Sequence, residues 1–281
     1  MNPWMIARLR MNNRLRPIGI FDSGIGGLTV LKEILEKLPH ENTIYLGDTA
    51  RVPYGIRSPE TVTRYSFENT RFLSAKDIKI LVIACNTASS VSLDAVRHTF
   101  PVPVVGVIEP GAKAAAAATK KKRIGVIGTE ATVRSNSYRR AIQAIDNAIE
   151  VFSIPCPLFV PLVEEGWTEG QITEMVAERY LAGIRENGID TLVLGCTHYP
   201  LLKPVLSKIM GSEVRLIDSA IETALEIRAV LDARSLLNSP EQPVRHEFYV
   251  TDAPQKFLAV GERFLGRTIE HIEKIQLEME V

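Results

Sequence analysis

The residues with the most chemistry to offer are three cysteines, Cys85, Cys156 and Cys196. Two of them share a setting. Around Cys85 the chain reads KILVIACNTAS, and around Cys196 it reads DTLVLGCTHYP. Each is an apolar run of strand type that ends on the thiol and continues into small polar residues. Cys156, in SIPCPLF, lies between two prolines without polar neighbours and reads as a packing residue. A thiol has a reference pKa of about 8.5 and must be activated to work near neutrality. Helix N-termini immediately after Cys85 and Cys196 would favour the thiolate.

Two opposed thiols suit one reaction. One thiolate removes a proton from a carbon while the other thiol delivers a proton to the opposite face, and the roles swap for the reverse direction. That is racemisation without a cofactor. Thiol redox chemistry usually brings close-spaced cysteines such as C-x-x-C, and none exists here. A Cys/His/Asp hydrolase triad is compatible with the residue types but leaves the second strand-end cysteine without a purpose. A zinc site from Cys85, Cys196, His198 and Asp22 is a rival, although Cys-x-His is not a usual structural spacing. Pyridoxal phosphate would need a Schiff-base lysine beside a phosphate cradle, and no lysine sits just past a strand in that way. The expectation is therefore no cofactor and no metal. A non-catalytic two-lobed amino-acid-binding protein is the rival from another class, but it gives no reason for the paired thiols.

Two similar lobes facing each other are the simplest way to oppose the thiols. The chain's strand-type runs are 18–22, 43–48, 80–85, 104–107, 123–128, 150–155, 191–196, 213–218 and 246–252. Most are rich in Val and Ile and nearly continuous, as for strands buried on both faces. Between them lie stretches with apolar residues at helical spacing, such as LTVLKEILEKL (28–38), ITEMVAERYLAGI (172–184) and the Ala-rich GAKAAAAATKKKR (111–123). The expected class is α/β: two similar lobes, each a mostly parallel sheet flanked by helices, with the site in the cleft between them. The expected division is a first lobe from 17–108 plus 219–281 and a second from 109–218. The basic stretch 1–16 is expected to be a flexible extension. Its short apolar patch does not resemble a signal-peptide core.

Composition is that of an ordinary globular protein. The 281 residues are 46% hydrophobic and 23% charged, with a formal net charge of zero. That balance argues against nucleic acid or a membrane surface as partner, and no apolar run reaches the length of a membrane helix. A cytoplasmic location is expected, and three cysteines give no disulfide framework.

DSGIGG (22–27) follows the first strand and opens a helix, but its glycines do not have dinucleotide spacing. It reads as a tight turn presenting Asp22 and Ser23 to a small ligand, or as a plain turn and helix cap. The carboxylates of an amino-acid substrate need neutral donors and helix N-termini. Ser23, Asn86, Thr87, Thr129, Thr132 and Thr197 supply such groups, with backbone N–H groups at Tyr54-Gly55. The loop DTARVPYGIRS (48–58) has the composition of one that covers a site.

Taken together and in this order, FDSGIGGLTV, YLGDTARVPYG, ACNTAS, PLVEEGW and GCTHYPLL resemble glutamate racemase, within the aspartate/glutamate racemase superfamily. His198 after Cys-Thr favours the glutamate branch, because aspartate racemases tend to carry an acidic residue there; aspartate racemase is the runner-up. The resemblance implies cofactor-independent interconversion of L- and D-glutamate, supplying D-glutamate for peptidoglycan. It implies that Cys85 handles the α-proton of D-glutamate and Cys196 that of L-glutamate. Asp22 would assist the first thiol and His198 the second, with Glu164 as a further acidic group. Substrate contacts would come from Asp22, Ser23, Tyr54, Gly55, Asn86, Thr87, Thr132, Thr197 and His198. A homodimer is implied as well.

Overall fold

The computed structural model of the protein describes residues 13–277. Among the described residues, ten strands run in chain order: β1 Ile18–Asp22, β2 Thr43–Gly47, β3 Ile80–Ile83, β4 Val104–Gly106, β5 Arg123–Gly128, β6 Glu150–Pro155, β7 Thr191–Gly195, β8 Arg215–Asp218, β9 His246–Val250 and β10 Glu273–Lys274. Among the described residues, these helices connect or follow them: α1 Leu28–Lys37, α2 Pro59–Ala75, α3 Asn86–Thr99, α4 Ile108–Ala118, α5 Glu130–Arg134, α6 Ser137–Ile145, α7 Phe159–Glu164, α8 Gln171–Glu186, α9 Lys203–Met210, α10 Ser219–Ala233 and α11 Pro254–Leu265. Short 3-10 turns occupy Tyr54–Ile56 and Tyr199–Leu202.

The strands form two sheets. The first has the order β10-β9-β2-β1-β3-β4 and the second the order β6-β5-β7-β8. Every pairing is parallel. The α/β class with parallel sheets thus matches the expectation from the continuous apolar runs. β1, β2, β3 and β7 are buried along their whole length, whereas β6, at a sheet edge, is half-exposed. Parallel strands need helical crossovers, and those helices cover both faces.

The two sheets share a strand order. In each, the second strand lies on one side of the first, and the third and fourth lie on the other. The chain therefore reverses direction across the sheet between β1 and β3, and again between β5 and β7. Ligands in open parallel sheets bind beyond the carboxyl ends of strands at such a reversal. Cys85 follows β3 and Cys196 follows β7.

Two local features depart from the sequence reading. The Ala-rich helix starts earlier and ends earlier than expected, at Ile108 and Ala118. Its end is set by Asp190: Thr119 Oγ1 donates to the carboxylate at 2.5 Å, and the N–H groups of Lys120 and Lys121 each donate at 2.6 Å. These bonds hold the lysines in a turn, and Arg123 opens β5. The last short strand, β10, was not expected at all; it is two residues long and carries no apolar pattern.

After β8 the chain continues through α10, and β9 then pairs with β2 in the first sheet. Of the stretch expected to be an extension, residues 1–12 lie outside the described residues. Arg14 and Arg16 are tied down. Arg14 Nε donates to Ser235 O at 3.0 Å, its carbonyl accepts from Lys79 Nζ at 2.6 Å, and Arg16 pairs with Asp77 at 2.9 Å. Among the described residues, no helix is long and apolar enough to cross a membrane.

Candidate active site

A cavity of about 300 Å³ opens between the carboxyl ends of the two sheets. From the first sheet's side it is lined by Ser23, Tyr54, Gly55, Cys85, Asn86 and Thr87. From the second come Thr129, Glu164, Cys196, Thr197 and His198. Both thiols therefore face one chamber, large enough for a small molecule. Asp22 and Thr132 do not line it; both are buried directly behind it. A larger hollow of about 640 Å³ lies beside Arg97 and Arg234, but neither a thiol nor a carboxylate lines it.

The two thiols are set differently. Cys85 is the N-cap of α3, so an α-helix begins directly after it, as expected. Its thiol donates to Ser23 Oγ at 3.7 Å. Burial pushes the Cys85 thiol up to about 12, reinforced by the nearby Asp22 carboxylate, against the pull of the helix N-terminus. Cys196 departs from the expectation in another way. The chain after it makes only the 3-10 turn, and its α-helix starts at Lys203. Pro200 and Pro204, each within the first two positions of its helix, divide this segment into two short pieces.

What stands beside Cys196 is an imidazole. His198 Nδ1 lies 3.9 Å from Cys196 Sγ, and Nε2 lies 3.1 Å from Glu164 Oε1. Burial by itself draws His198 down, but the hydrogen bonds to Cys196 and Glu164 outweigh it and push the ring up to about 10. The His198 hydrogen bond in turn holds Glu164 below the usual carboxylate range, against partial burial. The ring also packs edge-on against Phe264 of α11, at 5.2 Å between centroids.

Asp22 has no direct bond to either thiol. Its carboxylate accepts from Gly24 N at 2.9 Å, from Ser23 Oγ at 3.5 Å and from Thr197 Oγ1 at 3.5 Å. Burial raises Asp22, and the His198 charge opposes that rise. Asp22 is thus linked to Cys85 by way of Ser23 and to the Cys196 loop by way of Thr197.

In the DSGIGG turn, crowding accounts for Gly26 and Gly27, whereas a Cβ at Gly24 would meet only Val52, at 4.0 Å. None of Gly24, Gly26 and Gly27 has a positive φ. A Cβ at Gly26 would instead sit 2.5 Å from His198 Nδ1 and closer still to Thr197 Oγ1. The turn therefore packs against the loop of the second sheet. Thr29 Oγ1 completes the contact by donating to Thr197 O at 2.9 Å.

Opposite, three hydroxyls meet across the cleft. Thr87 Oγ1 is 2.9 Å from Thr129 Oγ1, and Thr129 Oγ1 is 3.0 Å from Thr132 Oγ1. Thr129 also caps α5, accepting from Thr132 N at 3.2 Å. Asn86 Oδ1 accepts from Tyr138 at 2.7 Å, whereas its Nδ2 is buried without a partner. An unsatisfied amide beside a cavity is a donor available to a ligand. Tyr54 and Gly55 both line the cavity, and the buried Tyr54 hydroxyl donates to Asp48.

Sequence reasoning did not single out the apolar wall of Val52, Ile56, Val160 and Pro161. No spacing marks such residues, because each looks like ordinary loop or helix filler. Strand-end Asp48 and Asp218 do not line the cavity. Asp218 caps α10 through Ala220 N at 2.9 Å and pairs with Lys203 at 2.5 Å. Cys156 is fully buried in the core and does not line the cavity, although its neighbour Pro157 does, and burial pushes its thiol far up. Among the described residues, no three His, Cys, Asp or Glu side chains are grouped to hold a metal ion, so the zinc reading lacks a ligand set there.

The family model for Asp/Glu/hydantoin racemase matches residues 18–227. A glutamate racemase from Geobacter metallireducens is 56% identical over 265 residues, spanning 94% of this chain and 98% of that protein. The crystal structure of glutamate racemase from Francisella tularensis in complex with D-glutamate superposes with a TM-score of 0.89 at 41% identity, covering 94% of this chain and 99% of that one. A Bacillus anthracis glutamate racemase structure gives 0.90 at 41% identity, covering 93% and 98%.

Proposed function

The chain belongs to the glutamate racemases of the Asp/Glu/hydantoin racemase family, and from that premise we propose that it interconverts L- and D-glutamate by proton transfer between Cys85 and Cys196, supplying D-glutamate for peptidoglycan. The observation that carries this reading is that two thiols from two topologically equivalent strand ends face one small cavity.

In the L-to-D direction the Cys196 thiolate takes the α-proton, forming an S–H bond as the C–H bond breaks. The electron pair stays on carbon. The Cys85 thiol then gives its proton to the opposite face and becomes a thiolate. The enzyme is left with Cys196 protonated and Cys85 ionised, which is the form that runs the reverse direction. The high-lying Cys85 thiol is the proton donor of this scheme. A protonated His198, held by Glu164, places positive charge 3.9 Å from Cys196 Sγ, where a thiolate needs a counter-charge.

An α-proton is far less acidic than a thiol, so the developing negative charge must also be met by fixed donors. Substrate carboxylates are the natural partners of the free Asn86 amide, the Thr87 and Thr129 hydroxyls, Ser23, Thr197 and the Tyr54-Gly55 backbone. Asp22, Thr132 and Glu164 act from behind or beside these groups.

Incubated with L-glutamate in D2O without added cofactor, the protein is expected to release D-glutamate deuterated at the α-carbon. Absence of both α-deuterium and D-glutamate would overturn the proposal. Cys156→Ala is expected to keep racemisation within about threefold, since its thiol does not line the cavity and a packing change costs stability, about 1 kcal/mol, rather than chemistry. Loss of turnover in a folded Cys156→Ala protein would contradict its structural role.

A further inference from the structure

The loop after β2 carries Tyr54-Gly55 to the cavity, and its side chains converge on one buried carboxylate. Asp48 is fully buried at the end of β2. Its Oδ2 accepts from Arg51 Nε at 2.7 Å and from the Tyr54 hydroxyl through a short hydrogen bond, and its Oδ1 accepts from Thr251 Oγ1 at 3.0 Å. Asn69 of α2 donates to the same Tyr54 oxygen at 3.1 Å. Arg51 also pairs with the buried Glu68 of α2, and its guanidinium lies 4.1 Å over the Tyr65 ring. Asp48 N bonds Asp22 O at 3.0 Å, which joins this cluster to the DSGIGG turn. At the loop's tip, a Cβ on Gly55 would come 2.9 Å from Thr129 Cβ, so the loop abuts the second sheet's side of the cleft.

Apart from Tyr54, none of these residues lines the cavity, and a buried polar network that is satisfied on all sides rigidifies what it holds. We propose that Asp48 is a positioning residue which, through Tyr54 and Arg51, holds the Tyr54-Gly55 peptide at the substrate. The inference rests on the reading of that peptide as a substrate contact. A backbone donor that holds substrate and transition state alike acts on KM rather than kcat.

The test compares Tyr54→Phe, Asp48→Asn and the double variant with the parent protein, using glutamate racemisation and amide hydrogen exchange. The Arg57 amide, bonded to Tyr54 O at 2.9 Å, reports on the loop. KM for glutamate is expected to rise roughly tenfold in each single variant while kcat changes less than about twofold. Exchange should accelerate over 54–57 and not in the sheets, and the double variant should be no worse than the more severe single one. Unchanged exchange at Arg57 overturns the inference, and so does a loss of activity that tracks a loss of folded protein. If the parent fails to turn over glutamate, the functional reading falls, and the exchange data still decide whether the network holds the loop.

Discussion

Replacing either Cys85 or Cys196 with alanine is expected to abolish racemisation in both directions, by about 10³-fold or more in kcat, because each variant loses a proton donor or acceptor that nothing nearby replaces. L- and D-glutamate are mirror images and equal in free energy, so a defect in either half of a two-base site slows both directions alike. A one-base mechanism predicts something else: one of the two variants would retain most of its activity. The side chains beside the thiols do not substitute for them. Ser23 has a hydroxyl, a far weaker acid, and His198 Nδ1 is 3.9 Å from Cys196 Sγ, on the thiol's own loop. Both cysteines are buried at the cavity wall, so alanine removes one heavy atom and leaves the fold. Chiral chromatography of the product, with circular dichroism to confirm folding, decides the matter. Substantial turnover by a folded single variant would rule out the two-thiol mechanism.

Gly26→Ala is expected to have the next largest effect, although Gly26 is not itself in contact with the reacting atoms. Its backbone angles suit alanine, and the chain-entropy argument alone would make the substitution mildly stabilising, by about 0.4–1 kcal/mol. Space decides otherwise. The added methyl would stand 2.5 Å from His198 Nδ1 and nearer still to Thr197 Oγ1. Neither can retreat freely: Thr197 O accepts from Thr29 at 2.9 Å, and His198 is held between Glu164 and Phe264. The loop after β7 must shift, and with it Cys196. Overpacking of this kind costs about 1–3 kcal/mol of stability. A displacement of about 1 Å in a catalytic group costs on the order of 10²-fold in rate. The expected result is a folded protein with a modestly lower Tm and a kcat reduced about a hundredfold. A variant with parental kcat would show that the turn and the Cys196 loop are not rigidly coupled.

Much of the fold was legible because its signals are local. Strands such as ILVI at 80–83 are buried on both faces, so their residues are apolar without alternation, and the run itself identifies them. Cys85 and Cys196 could be paired for a similar reason: a polar tripeptide after a buried strand marks the carboxyl edge of a parallel sheet. The end of α4 was less legible, since it depends on Asp190, which is distant in sequence.

The amino-acid sequence by itself determined the parallel α/β class, the two strand-end thiols and the polar residues that follow them. Those follow from periodicity, side-chain type and order along the chain. Only the tertiary structure decided that Cys85 leans on Ser23 with Asp22 behind it, and that Cys196 faces a His198–Glu164 pair rather than an α-helix N-terminus. It alone turned Tyr54 inward onto Asp48, and it alone made Gly26 a matter of space rather than of φ. The physical reason is common to all of these. Each depends on how two sheets meet across a cleft, and close approach between distant segments leaves no period in the residues that make it.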